Sequence, residues 1–310
     1  MDEDARETAG SALPAPAQTA VPATTEQPTG PPPSIPTRRS RSLIWLRNRG
    51  IQVGVLIVIF LVWTIVAGMH LVSAQFLPGP GTVWKAFWNA NSCVPVAEGA
   101  LRKVCGVQNY YLWEHLVASL QRMAVGVGAA LIAGTIIGFA MAASKWTTLA
   151  LAPYLNFIRA LPPLGYIGLI IVWVGIGDAA KYWLLFLAAF PPIVLATMNG
   201  VRDVSADRIQ AAQSMGASRW QSIRFVILPA SLNSIVSGVR LAVGFAWTTV
   251  VAAELNNGIP GIGGIAYLAG TQLNTALVIA CVVLIGVVAV LLDALIAKLG
   301  DLLTPWHGKA

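Results

Sequence analysis

The sequence predicts an all-α membrane protein, a bundle of six spanning helices, and three observations carry that prediction. Hydrophobic residues fill 56% of the 310 positions and charged ones only 11%, far below the roughly 25% of an average soluble domain. Several apolar runs reach about 20 residues, enough to cross a hydrocarbon layer of about 30 Å at about 1.5 Å per helical residue. The basic excess, net +7, is gathered in short segments beside those runs. That placement is what membrane topology requires, and it removes the case for a nucleic-acid partner.

Residues 1–42 hold prolines from Pro14 to Pro36 among Ala, Thr and Gln with no apolar periodicity, the composition of a disordered tail. The acidic start Asp2-Glu3-Asp4 is the opposite of a cleavable signal's basic opening, so the first apolar helix should stay attached. The transmembrane domain then occupies 43–310, with spans expected at 51–70, 116–143, 153–175, 182–201, 231–253 and 277–299. Arg38, Arg39, Arg41, Arg47 and Arg49 precede the first span and place the N-terminus in the cytoplasm. Lys145, then Arg202, Arg208, Arg219 and Arg224, then Lys298 and Lys309 fall on the same side, whereas the outward loop 255–276 has neither Lys nor Arg. Lys181 is an exception in a short outward turn. Lys85, Arg102 and Lys103 are others, in a first outward loop, 72–115, long enough to weaken the charge rule. Both termini are therefore cytoplasmic. Trp45, Trp63, Trp84, Trp113, Trp146 and Trp306 fall near the expected interfaces, where tryptophan anchors helices.

Cys93 and Cys105 share the long outward loop, where an oxidising compartment permits a disulfide. Two free thiols are the alternative, because sequence does not fix the distance between them. Cys281 is left alone in the sixth span. On the second span Gly126, Ala130, Gly134, Gly138 and Ala142 recur every fourth residue and form one small-residue face. Packing within the subunit is its first reading and a contact between subunits its second. Pro162-Pro163 and Pro191-Pro192 interrupt the third and fourth runs, removing backbone donors, so breaks or kinks are expected at both. Such breaks suit a water-lined path as well as a static bundle.

Arg240 and Glu254 lie in the fifth run, where a charge near the bilayer centre costs about 2.5–3.5 kcal/mol. They stand about 21 Å apart along a straight helix, so each needs a partner of its own or water at a span end. Arg240 is either a pathway charge for an anion or a paired charge holding the bundle. Arg122, Arg159 and Asp293 are expected nearer span ends, where the two arginines can snorkel; Arg159 joins Arg240 and Glu254 as a candidate pathway or bundle charge.

The cytoplasmic loop 202–229 is amphipathic and charged, unlike its neighbours. Ser205 can cap a short helix, and Gly216 can end it in the left-handed conformation, giving a helix, a turn and a second helix. Such a unit either inserts into a groove on a soluble partner or merely connects two spans. At this loop the sequence resembles the permease subunits of bacterial ABC importers, whose pattern is Glu-Ala-Ala, three residues, Gly, nine residues, Ile-x-Leu-Pro. Here Gln210-Ala211-Ala212, Gly216 and Val226-Ile227-Leu228-Pro229 keep those spacings, with Gln210 where Glu is usual. The resemblance implies the type I importer (MetI-like) permease fold. It also implies a coupling helix in which Gln210, Ala211, Ala212, Ser214, Met215 and Gly216, with Leu228 and Pro229, dock on an ATPase.

Within those importers the chain is most similar to the taurine, alkanesulfonate and nitrate group over roughly 53–303. The similar segments are Phe76-Leu77-Pro78-Gly79-Pro80, Leu161 to Leu164, Trp173-x-Gly175-Ile176-Gly177, Trp247 to Glu254 and Gly261-Ile262-Gly263. What this implies is a multi-pass protein of the bacterial inner membrane working with two ATPase subunits, a second permease copy and an external substrate-binding protein. ATP and magnesium would sit on the ATPases, with no cofactor in this chain. The implied substrate is a small anionic or zwitterionic nutrient, taurine or an alkanesulfonate first, with nitrate, bicarbonate or a pyrimidine-type nutrient as rivals.

The residues independently exclude several chemistries. Gly-Lys occurs only at Gly308-Lys309, outside any P-loop context, so energy must come from another chain or from an ion gradient. An ion-coupled secondary transporter is the alternative of a different class. No His-x-x-x-His or Cys-x-x-Cys pair and no Gly-x-Ser-x-Gly elbow is present, so neither a metal site nor an enzyme is expected.

Overall fold

The computed structural model describes residues 38–69, 72–95, 103–255 and 257–305. Most of the expected tail lies outside them; its last part, from Arg38, opens helix α1 (Arg38–Gly68). The chain divides into two units, Met1–Ile57 and Val58–Ala310. In the first, the α1 residues Ile51, Val53, Val55 and Leu56 are all exposed, an apolar surface suited to lipid.

The second unit holds the rest. The long outward loop contains a helix that sequence reasoning did not anticipate, α2 (Pro80–Asn89), entered through Gly79 and the proline at its first position. After it come β1 (Cys93–Pro95) and β2 (Lys103–Cys105), an antiparallel pair in which Cys93 faces Cys105. The two cysteines are joined as a disulfide. The spanning elements follow: α3 (Leu112–Ala143), α4 (Lys145–Ala160), α5 (Ile167–Val174) and α6 (Asp178–Arg202). Then come α7 (Ala206–Ser214), α8 (Arg219–Ser222), α9 (Leu228–Ala253), α10 (Ile262–Thr271) and α11 (Thr275–Leu303). Among the described residues five helices are long and apolar enough to cross a membrane, six if α4 and α5 form one bent span.

The core is where α3, α6 and α9 meet. Met123, Val127 and Ala130 of α3 pack with Leu185, Ala189 and Ile193 of α6 and with Ala242, Ala246, Trp247 and Val250 of α9. The small-residue face of α3 makes that contact within this chain. A methyl group built on Gly134 would lie 2.9 Å from the Ile193 side chain, and one on Gly138 would lie 2.8 Å from the Val194 carbonyl oxygen. Only glycine lets the two backbones approach so closely.

The two proline pairs behave differently. At Pro162-Pro163 the chain breaks: Leu161 and Pro162 are extended, a short 3-10 turn covers Pro163–Tyr166, and α5 leaves at 99° to α4. A residue before proline is pushed out of the helical region, and Leu161 and Pro162 both precede one. At Pro191-Pro192 the expected break is absent, and α6 remains helical through both. Each ring removes one donor and so frees the Leu187 and Ala188 carbonyls one turn back; both residues are half-buried, and Ala189, Pro191, Pro192 and Ile193 beside them are buried. Packing against α3 and α9 thus holds the helix through the interruption.

Candidate functional site

Three places in this frame carry polar chemistry: an exposed elbow, a groove running from the middle of the spans toward the elbow, and a buried ion cluster at the opposite end from the elbow.

The elbow begins where α6 ends. Arg202 donates to the Met141 carbonyl (3.1 Å) and the Thr148 hydroxyl (2.8 Å), tying the loop to the ends of α3 and α4. Ser205 occupies the capping position of α7 without the expected side-chain bond; its carbonyl accepts from the Arg208 N–H instead. Asp207 in the first turn suits the positive end of the helix. Gly216 ends the helix at φ +87°, and its N–H reaches the Gln213 carbonyl while the Ala217 N–H reaches that of Ala212. Ser218 and Gln221 then cap each other to start α8. Of the residues singled out from the sequence, Ala212 is buried under the elbow, Pro229 is half-buried, and Gln210, Ala211, Ser214, Gly216 and Leu228 are exposed. Met215 is 83% exposed and Trp220 69%, two large apolar groups on an otherwise polar turn.

The second arm of the elbow is no separate helix. It runs through a π-type turn at Ile223–Ile227 directly into α9, one helical stretch from Arg219 to Ala253. The elbow's second arm and a core helix are therefore one continuous element.

Between α4, α6 and α9 lies a groove of about 640 Å³ lined by Arg159, Asn199, Asn233, Ser234 and Ser237, with Pro192 and Gly238 in its wall. Ser237, Leu241 and Phe245 also line an adjoining groove that contains Arg240 and Asp293. Arg240 is bound to the Asp293 carboxylate through two nitrogens, across from α9 to α11. Its charge is met, so of the two roles open to it the structure supplies the pair that holds two helices together. Arg159 lies in the last turn of α4, exposed, and makes no ion pair among the described residues.

The ion cluster joins the start of α3, the start of α6 and the end of α9. Glu254 is fully buried; it accepts from Ser119 Oγ (2.7 Å), Arg122 Nη1 (2.7 Å) and the Gly263 N–H (2.9 Å). Arg122, expected to snorkel, is instead buried. Its Nη1 also donates to the Pro260 carbonyl (2.6 Å), and its Nε to Asp178 (2.8 Å). Lys181, expected in an outward turn, lies in the first turn of α6 and donates to Asp178 (3.1 Å) and the Asn257 carbonyl (2.8 Å). The first amides of α10 are met by α3: Gly261 N–H by His115 Nδ1 and Ile262 N–H by Ser119 Oγ, both at 3.0 Å. That leaves His115 Nε2–H to donate to the Val107 carbonyl. The cluster fastens α10 over the ends of three spans. One signal for it was legible: a carboxylate at a span end followed by Gly258, Gly261, Gly263 and Gly264, which permit backbone to close around it. Among the described residues, no group of three or more His, Cys, Asp and Glu is placed to hold a metal ion.

Comparisons with known proteins identify the family. Residues 130–304 match the family described as the binding-protein-dependent transport system inner membrane component. The taurine transport system permease protein TauC of Escherichia coli is 38% identical over 87% of this chain and 96% of its own length. A Bacillus subtilis permease protein named for aliphatic sulfonate transport, SsuC, is 33% identical over 81% of this chain and 86% of its own. Among solved structures, an inward-facing form of the MetNI methionine ABC transporter superposes with a TM-score of 0.50 at 23% identity, covering 63% of this chain and 94% of that one. That likeness concerns the fold. The spanning helices, the elbow spacing and the family match together place this chain in the binding-protein-dependent transport system inner membrane component family, as a multi-pass permease of an ABC importer.

Proposed function

We propose that this chain is the permease of an inner-membrane importer for taurine or a related alkanesulfonate. Two copies would work with two ATPase subunits and an external substrate-binding protein. The observation that carries the coupling role is the elbow: an ordered helix, a left-handed glycine and a second arm continuous with α9, displaying Met215 and Trp220 to solvent. An exposed apolar pair on a rigid polar turn suits a cleft on a soluble protein. Gln210 contributes polar surface without the carboxylate common at that position. Closure of the ATPase dimer on ATP and magnesium displaces the docked elbow, and α9 passes the movement to the core, biasing inward-open against outward-open states.

The joined cysteines support the topology, since disulfides persist in oxidising compartments. With the hairpin outside, the elbow and both termini face the cytoplasm. The preference for a sulfonate rests on the relatives named for taurine and aliphatic sulfonate transport, and nitrate import is the rival.

Gly216→Pro tests the coupling role, because a proline ring cannot adopt a φ of +87°. The variant should abolish uptake and lower recovery of the ATPase with the permease. Normal uptake with unchanged recovery would overturn the reading. Uptake of labelled taurine and of nitrate by the reconstituted importer separates the two substrates.

A further inference from the structure

Arg159 is the one pathway candidate from the sequence left with an unmet charge among the described residues. Its depth is read from its neighbours. The groove wall it shares runs from Asn199 and Asn233, within about 8 Å of the elbow-side ends of α6 and α9, inward to Pro192 and Gly238, each about 15 Å from those ends at about 1.5 Å per residue. Its inner end therefore reaches toward the middle of a hydrocarbon layer of about 30 Å, and Arg159 itself lies about 21 Å along α4 from Lys145. An uncompensated guanidinium is costly there unless it faces a polar or watered cavity, which makes function the default reading of such a residue. The cavity is present. Asn199, Asn233, Ser234 and Ser237 line it, and the neighbouring groove adds Arg240 already neutralised by Asp293. The combined surface thus has a net charge of one guanidinium, beside the chain break at Pro162-Pro163 where backbone leaves the helix.

We propose that this groove is an oxyanion site on the translocation path and that Arg159 is its selecting residue, engaging a sulfonate or another small oxyanion through its planar fork of donors. The inference rests on the transport reading above, but its test is independent of which substrate the importer carries. Ser237, exposed and common to both grooves, is replaced by cysteine in the full chain assembled with its ATPase in membranes. Cys281 is fully buried and Cys93 and Cys105 are joined, so background labelling should be low. The new thiolate is offered an anionic sulfonatoethyl methanethiosulfonate or a cationic trimethylammonioethyl one. It attacks the sulfenyl sulfur, forming a mixed disulfide and releasing methanesulfinate.

With Arg159 present the anionic reagent should react faster than the cationic one. Arg159→Gln should cut that preference about tenfold, the effect of one nearby unit charge at intermediate dielectric. Arg159→Lys should restore most of it, which separates loss of charge from misfolding. Labelling by neither reagent, or a preference unmoved by Arg159→Gln, overturns the proposal. A charge-dependent preference in an importer that carries no taurine supports the oxyanion site while sinking the taurine assignment.

Discussion

Arg122 and Glu254 join segments 132 positions apart into one buried cluster, and the energetic logic is asymmetric. Removing one partner of a buried pair strands the other charge at a cost of about 3–5 kcal/mol, whereas replacing both is far milder. Arg122→Met should therefore lower the apparent melting temperature of the purified complex strongly. Adding Glu254→Gln should recover much of the loss, and a fully additive double variant would contradict the pairing. Little of this was legible in the sequence. Glu254 announced that it needed a partner, but the partner lies 132 positions away, and only the folded bundle brings α3 beside α9. Arg122 looked like a span-end residue because nothing local shows that α10 folds back over that end. Arg240 and Asp293 illustrate the same point: both charges were visible, their pairing across α9 and α11 was not.

Elements set by local rules were read more closely. The four-residue spacing of small side chains on α3 is a property of one helix, and its consequence, contact with α6 within the chain, follows from geometry. Gly138→Leu should destabilise the bundle by at least about 1–3 kcal/mol through overpacking against Thr197 and Val194. Gly128 has open space at the same helix, and Gly128→Ala should change stability by less than about 0.5 kcal/mol. Thermal melting of both variants checks the contrast. The elbow helix and its glycine stop were likewise local, while the fusion of its second arm with α9 was not, because a π-type turn leaves no simple mark in apolar periodicity. Prolines proved ambiguous for a physical reason: each pair removes donors, but only tertiary packing decides whether the helix survives. For the β1–β2 hairpin, alkylation of unreduced, denatured protein should modify Cys281 and leave Cys93 and Cys105 untouched until reductant is added. Modification of all three before reduction would contradict the disulfide.

At the largest scale, the unit Val58–Ala310 sets three features in order along its helix bundle. The ion cluster closes one end of the bundle, the Arg159 groove lies between it and the elbow, and the elbow projects from the other end on a helix continuous with the core. On the proposed reading the elbow is a stiff lever that a separate ATPase moves. The decisive measurement is concentrative uptake in liposomes. The permease reconstituted with its ATPase and binding protein should accumulate substrate only when ATP is supplied. Uphill transport by the permease alone, driven by an ion gradient, would contradict the account.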